Sequence, residues 1–213
     1  YNLAAEDFIL KTAVADTFMT WRNEPSVIIG KHQNAIKEIN ISFIEQHKIP
    51  VIRRISGGGT VFHDPGNINF SFIFTQRKEN LIDFREFTRP VILFLQNLGL
   101  NASFEGKNNI SINGLKVSGN SAHLHKNKVL YHGTLLFDSD LEMLDQAIRG
   151  NEILFKDKSV SSVKVNTINI KQLLNNEINI DDFITRFREF IFIYFEGYFE
   201  EDLSEDDQAA IQK

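Results

Sequence analysis

The sequence predicts an α+β domain, a mixed, mainly antiparallel β-sheet flanked by helices. Strand and helix patterns are interspersed without the regular strand–helix–strand beat of a parallel sheet. Three β-rich runs come close together, Val51–Ile55, Thr60–His63 and Ile68–Phe74. The 213 residues suffice for one large domain, and neither an internal repeat nor a low-complexity linker divides them.

The elements follow in chain order. Leu3–Ala15 carries apolar residues at helical spacing and contains no breaker. Phe18–Arg22 and Val27–Gly30 read as strands joined by the turn Asn23-Glu24-Pro25-Ser26. Ser42–His47 is a short helix, with Ser42 as its expected N-cap and Glu45 three residues on. Ile68–Phe74 alternates Ile68, Phe70, Phe72 and Phe74 with Asn69, Ser71 and Ile73, giving one strongly aromatic face. Core packing is the better reading of that face, lining a ligand pocket the other. Asp83–Leu98 is an amphipathic helix closed by Gly99, with a kink or late start expected at Pro90. Strands resume at Ala102–Glu105, Ile110–Ile112, Lys116–Ser118 and Val129–Phe137, and helices at Leu141–Ile148 and Asp181–Phe195.

Composition narrows the function. Hydrophobic residues make up 42% and charged residues 24%, ordinary for a globular domain. No stretch approaches the ~18 apolar residues of a membrane span. With no cysteine, disulfides, thiolate metal sites and a thiol nucleophile are excluded. Seven acidic residues and no basic ones lie between Glu196 and Asp207; removing them from the formal −5 leaves the rest at +2. The body is near neutral, which argues against a general nucleic-acid binder and leaves room for a local basic patch. Tyr1-Asn2-Leu3-Ala4-Ala5-Glu6 reads as the interior of a domain, so residues upstream are expected, and the expected compartment is the cytoplasm.

Three stretches could carry chemistry. Arg53-Arg54-Ile55-Ser56-Gly57-Gly58-Gly59-Thr60-Val61-Phe62-His63-Asp64 brings two arginines into a triple-glycine turn. Residues without Cβ let backbone N–H groups converge on an anion, and guanidiniums add charge-assisted bonds to phosphate oxygens. A flexible hairpin turn is the alternative. The run is not a P-loop, because no Gly-Lys-Ser/Thr follows. Asn113-Gly114-Leu115-Lys116-Val117-Ser118-Gly119-Asn120-Ser121-Ala122 presents a lysine that could bridge a carboxylate and an α-phosphate, or be solvated on an edge strand. Tyr131-His132-Gly133-Thr134 opens a strand with polar groups. His32, His47, His123 and His125 lack metal-ligand spacing, so no metal site is assigned.

Together these stretches resemble the lipoate–protein ligase family, of the biotin/lipoate ligase fold, almost end to end. Arg53 to Asp64 and Asn67 match its signature Arg-Arg-x-Ser-Gly-Gly-Gly-x-Val-Phe-His-Asp. Lys116 to Ala122 matches its Lys-x-Ser-Gly segment, and His132-Gly133-Thr134 its strand start. Asn2 to Glu6 looks like its opening helix; Trp21-Arg22-Asn23, Val27 to Gly30 and Gln33-Asn34 look like its first hairpin. The resemblance implies a single catalytic domain over 1–213, with a C-terminal accessory domain absent from this chain or supplied separately. It implies ATP-dependent activation of lipoate to lipoyl-AMP. Transfer then goes to a lysine of a lipoyl domain, in a 2-oxoacid dehydrogenase E2 or a glycine-cleavage H protein. Mg2+ would arrive with ATP, and neither nucleic acid nor membrane is an expected partner. Lys116 is the implied catalytic residue. Trp21, Arg54, Ser56, Gly57, Gly58, Gly59, Thr60, His63, Asn67, Asn109, Ser118, Gly119, Ala122, His132, Gly133 and Thr134 are the implied lipoate and ATP contacts.

The chain departs from the family in two places: Asn109 stands where many members have Asp, and Ser162-Val163-Lys164-Val165-Asn166-Thr167 only loosely follows Ser-Val-Arg-x-Arg-Val. Two other readings are kept: a lipoyl- or octanoyltransferase of the same fold, and a non-catalytic lipoyl-binding half of a two-protein ligase. Transferases that form an acyl-enzyme on cysteine are excluded by composition.

Overall fold

Alternation along residues 67–74 sets the plan of the molecule, because each side of that strand needs a different cover. A computed structural model describes residues 1–75, 83–148, 166–196 and 200–212. The chain runs α1 (Asn2–Thr12), β1 (Thr17–Trp21), β2 (Ser26–Ile29), α2 (Ala35–Glu38), α3 (Ile41–Gln46), β3 (Val51–Arg53), β4 (Val61–His63) and β5 (Asn67–Phe74). It continues through α4 (Phe84–Asn97), β6 (Ala102–Glu105), β7 (Asn109–Ile112), β8 (Leu115–His125), β9 (Lys128–Leu136), α5 (Leu141–Ala147), a 3-10 turn (Ile170–Leu173), α6 (Ile180–Tyr194) and α7 (Glu205–Ile211).

Six strands form an antiparallel sheet in the order β1-β5-β9-β8-β7-β6. A smaller sheet, β3-β2-β4, pairs β2 parallel to β3 and antiparallel to β4. The fold is therefore mixed and mainly antiparallel, as the sequence predicts.

All of β5 is buried. Its even face (Ile68, Phe70, Phe72, Phe74) packs with Phe87, Val91, Phe94 and Leu95 of α4 and Phe183, Phe187 and Ile191 of α6. Ring centroids of 4.9 Å for Phe74–Phe87 and 4.7 Å for Phe137–Phe183 mark direct aromatic contacts. These rings are core, the first of the two alternatives for that face. On the odd face Ile73 meets Leu10 of α1 and Leu130. The small sheet has its own core of Val27, Ile29 and Phe62 against Ile44, Ile49 and Ala147.

Several boundaries differ from expectation. The first helix ends at Thr12, since Ala13 turns extended at ψ 132°. Asn40, not Ser42, caps α3, its side chain accepting from Phe43 N–H. The helix α4 begins at the Asp83 cap and runs through Pro90. The expected strand Lys116–Ser118 is the 11-residue β8, whose polar side chains hide its extent. The acidic tail contains α7, closed at its start by a Ser204–Asp207 capping box. Among the described residues no helix is long and apolar enough to cross a membrane. Residues 162–165 of the loosely matching late segment lie outside the described residues.

Candidate functional site

The glycine turn is built from behind by two arginines. Arg53 Nη1 donates to the carbonyls of Gly30 (2.8 Å) and Gln33 (2.8 Å). Arg54 donates through Nη1 to Ile28 O (3.1 Å), through Nη2 to Gly57 O (2.6 Å) and Gly59 O (2.7 Å), and through Nε to Ser56 Oγ (3.0 Å). The sequence suggests guanidiniums aimed at phosphate; in the structure their donors hold backbone carbonyls. The consequence for an anion is indirect. A trans peptide sets N–H opposite C=O, so drawing the Gly57 and Gly59 carbonyls inward turns the N–H groups of Gly58 and Thr60 away from Arg54. Gly58 takes φ +84°, and its carbonyl lies 2.2 Å from where a Cβ on residue 30 would stand, so the turn also requires Gly30. Thr60 Oγ1 donates to Gln33 Oε1 (2.9 Å), fixing the far side.

Lys116 reaches this region through a β-bulge. Ser118 stands opposite Ile110 and Lys116 opposite Ser111, leaving Val117 as the extra residue. Gly119 is opposite Asn109, and Asn109 and Ser111 share a face, so Gly119 and Lys116 share it too, though three residues apart. In a regular strand Lys116 would point into the aromatic core. Its Nζ lies 3.2 Å from where a Cβ on residue 119 would be. Two residues on, ~7 Å along the strand, the Ser121 hydroxyl donates to Gly57 O (2.9 Å). The amine and the glycine turn thus lie over the same face of β8, two residues apart along the strand. Lys116 is further clamped by backbone bonds to Asn166 O (2.9 Å) and from Ile168 N–H (3.1 Å). Burial lowers its pKa. Among the described residues its ammonium has no hydrogen-bonding or carboxylate partner. The buried Ser111 hydroxyl, across the ladder, is also without one. A part-desolvated ammonium without a counter-ion is costly, and an anion between it and the turn would offset that cost.

The register brings other polar residues to the same side of the sheet. Ser71 and Ser121 both stand opposite His132, and Trp21 and Thr134 both stand opposite Asn69. Asn67 follows by alternation, its amide donating to Asn69 Oδ1 (3.1 Å). Among the described residues Trp21 Nε1 and Asn67 Oδ1 are buried without partners, a donor and an acceptor on the candidate site's face. His132 Nε2 meets Ser56 Oγ at 2.6 Å and its Nδ1 meets Glu6 Oε1 at 2.8 Å. The His63 Nδ1 accepts from Asn23 Nδ2 (2.9 Å). Its pKa is pushed down to about 3 by burial first and then by the Arg54 charge, so His63 is neutral at physiological pH. Asp64 is spent on the backbone N–H groups of Gly66 (2.9 Å) and Asp140 (2.7 Å).

Of the residues singled out in the sequence, Trp21, Asn67, Asn109, Lys116, Gly119, His132 and Thr134 share one face of the sheet. Arg54, Ser56, Gly57, Gly58, Gly59, Thr60 and His63 belong to the adjoining turn and strand. Ser118, Ala122 and Gly133 are on the opposite face, in rows with Ile110, Tyr131 and Phe70. Glu6, Ser71 and Ser121 were missed as site residues. Glu6 had a legible signal, a carboxylate in the apolar stripe of a helix, one turn before Ile9 and Leu10. Among the described residues no group of three His, Asp or Glu side chains is placed to hold a metal.

Comparison with known proteins agrees on one family. The sequence model described as "Lipoyl protein ligase A/B catalytic domain" matches residues 1–192. The chain is 42% identical to Lipoate–protein ligase 1 of Staphylococcus aureus over 184 residues, 85% of this chain and 56% of that protein. It is 37% identical to lipoate-protein ligase LplJ of Bacillus subtilis, over 90% of this chain and 58% of the other. The chain therefore spans little more than half the length of these relatives. Among solved structures, Plasmodium falciparum LipL1 in complex with lipoate superposes with a TM-score of 0.77 at 27% identity, covering 95% of this chain and 61% of that one. A bi-partite lipoate protein ligase from Thermoplasma acidophilum shares the fold with a TM-score of 0.81 at 24% identity, over 99% of this chain and 85% of that one.

Proposed function

Because the chain belongs to the lipoyl protein ligase A/B catalytic-domain family, we propose that it performs the catalytic steps of an ATP-dependent lipoate–protein ligase. The observation that carries this reading is the Lys116 ammonium, unpaired among the described residues and set beside the glycine turn. A lipoate carboxylate oxygen attacks the α-phosphorus of ATP and pyrophosphate leaves, giving lipoyl-AMP. The neutral amine of an acceptor lysine then attacks the acyl carbon, AMP departs, and the amine's proton passes to solvent. Neither step needs a protein nucleophile. The first needs two anions brought together, and both need positioning and negative charge neutralised as it shifts. Lys116 would bridge carboxylate and α-phosphate, and the N–H groups of Gly58 and Thr60 would face the anhydride.

Magnesium enters as the counter-ion of ATP's phosphates. The turn offers it no carboxylate cluster: Asp64 is committed to backbone amides, and residue 109 is an amide. The acceptor would be a lipoyl domain of a dehydrogenase E2 or an H-protein-like carrier. The test is to incubate the chain with a lipoyl domain and either lipoate plus ATP or preformed lipoyl-AMP, and to read intact mass. Addition of one lipoyl group from lipoate plus ATP supports the ligase. Addition from the adenylate alone would make it a transferase, and none from either a lipoyl binder.

A further inference from the structure

Glu6 is a carboxylate only 1% exposed, and the reaction proposed above gives it no part. Its partners are His132 Nδ1 (2.8 Å) and the Ser71 hydroxyl. From His132 the contacts continue through Ser56 to Arg54 and the glycine turn. Helix α1, strand β9 and the turn are thereby joined in one chain of hydrogen bonds, its outer members 48 positions apart in sequence.

The direction of each bond follows from what the end groups can do. A guanidinium only donates, so Ser56 Oγ accepts from Arg54 Nε and keeps its own proton for His132 Nε2. A carboxylate only accepts, so the proton of His132 lies on Nδ1, toward Glu6. Both ends therefore assign the same form of His132, neutral and protonated at Nδ1. A proton on Nε2 would leave the Ser56 hydroxyl hydrogen without its acceptor. The neighbouring His63 is held in the other form: its Nδ1 accepts from Asn23, whose Oδ1 takes the amide of Asn2 (2.8 Å). The same chain supplies Arg54 with its counter-charge. Burial pulls the guanidinium down to about 10 and the Glu6 carboxylate acts against that fall, so Arg54 stays charged at neutral pH.

We infer that Glu6 is a positioning residue of this site. By holding His132 as the Nδ1–H tautomer it fixes the Ser56 hydroxyl and the Arg54 guanidinium, and so the pose of the turn that presents the Gly58 and Thr60 N–H groups to an acyl-adenylate. The last clause rests on the ligase reading; the tautomer does not.

The experiment uses the full chain labelled with 15N-histidine, with the His132 signals assigned through His132→Gln. Wild type is expected to show a protonated Nδ1 and a bare Nε2. Glu6→Gln, equal in size but uncharged, is expected to move His132 toward the Nε2–H form. The same variant should lower kcat of adenylation by about 100-fold, the cost of a misplaced catalytic group, with a smaller change in KM for ATP. Wild-type His132 protonated at Nε2 would overturn the inference, whether or not the variant folds. So would Glu6→Gln with wild-type kcat. A chain that never makes adenylate would fail the ligase reading instead, and the tautomer would still be read.

Discussion

Lys116 has given up much of its water and, among the described residues, gained no counter-ion. Such a group costs the fold stability, and on the proposed reading it serves a ligand. Lys116→Met, which keeps the stem and removes the charge, should unfold at the wild-type temperature or higher. Its lipoate-dependent release of pyrophosphate should fall by about 100–1000-fold. A wild-type rate in that variant would contradict the assignment. His63 makes a prediction about pH. Its folded pKa of about 3 lies below the ~6.5 of an unfolded histidine, so between these values the unfolded state binds more protons. Its share of stability is intact above pH ~6.5 and is lost toward pH 3, by at most about 1.4 kcal/mol per pH unit. The drop in urea midpoint from pH 7 to pH 5 should be smaller in His63→Gln; equal drops would refute the burial argument. The signature residues were legible because turn and flanking strands are contiguous in sequence. The partners of Arg54 were not, since backbone carbonyls carry no label in a sequence. The bond from Glu6 to His132 was hidden by a separation of 126 positions.

The turn and the bulge act as units. Gly58 sits at φ +84°, and a Cβ there would lie 3.1 Å from Arg54 Nη2. Gly58→Val would strain the backbone by about 1–2 kcal/mol and press on the guanidinium that orders the turn. A loss of affinity for a lipoyl-adenylate analogue, with the far-ultraviolet spectrum unchanged, is expected by calorimetry. Unchanged affinity would mean that the glycines only reverse the chain. The bulge at Val117 was not legible: alternation alone places Lys116 opposite in face to Gly119 and Ser121. The polar run 116–125 likewise read as a short strand, because it is buried by neighbouring strands and not by apolar periodicity. By contrast β5 was legible, its period of two being set by phenylalanines.

Across the whole molecule the large sheet divides its labour, with α4 and α6 covering an aromatic face and the polar face carrying the candidate site. Phe187, fully buried against Phe18, Phe70 and Phe94, belongs to the first. Phe187→Ala should lose about 3–5 kcal/mol of stability yet keep the wild-type KM for lipoate in its folded fraction. A changed KM would show that the faces are not separate. The fold class was legible from interspersed strands and helices. The smaller sheet was not, since its parallel β2–β3 pair joins strands separated by two helices. What unites these scales is the proposal that a single anhydride lodges between the Lys116 amine and the glycine turn. Its most direct test is a crystal structure with a non-hydrolysable lipoyl-adenylate analogue. The expected result has Lys116 Nζ and the Gly58 N–H both within hydrogen-bonding distance of the group that replaces the acyl phosphate. An analogue bound elsewhere, or one bound there with Lys116 turned to solvent, would contradict the account.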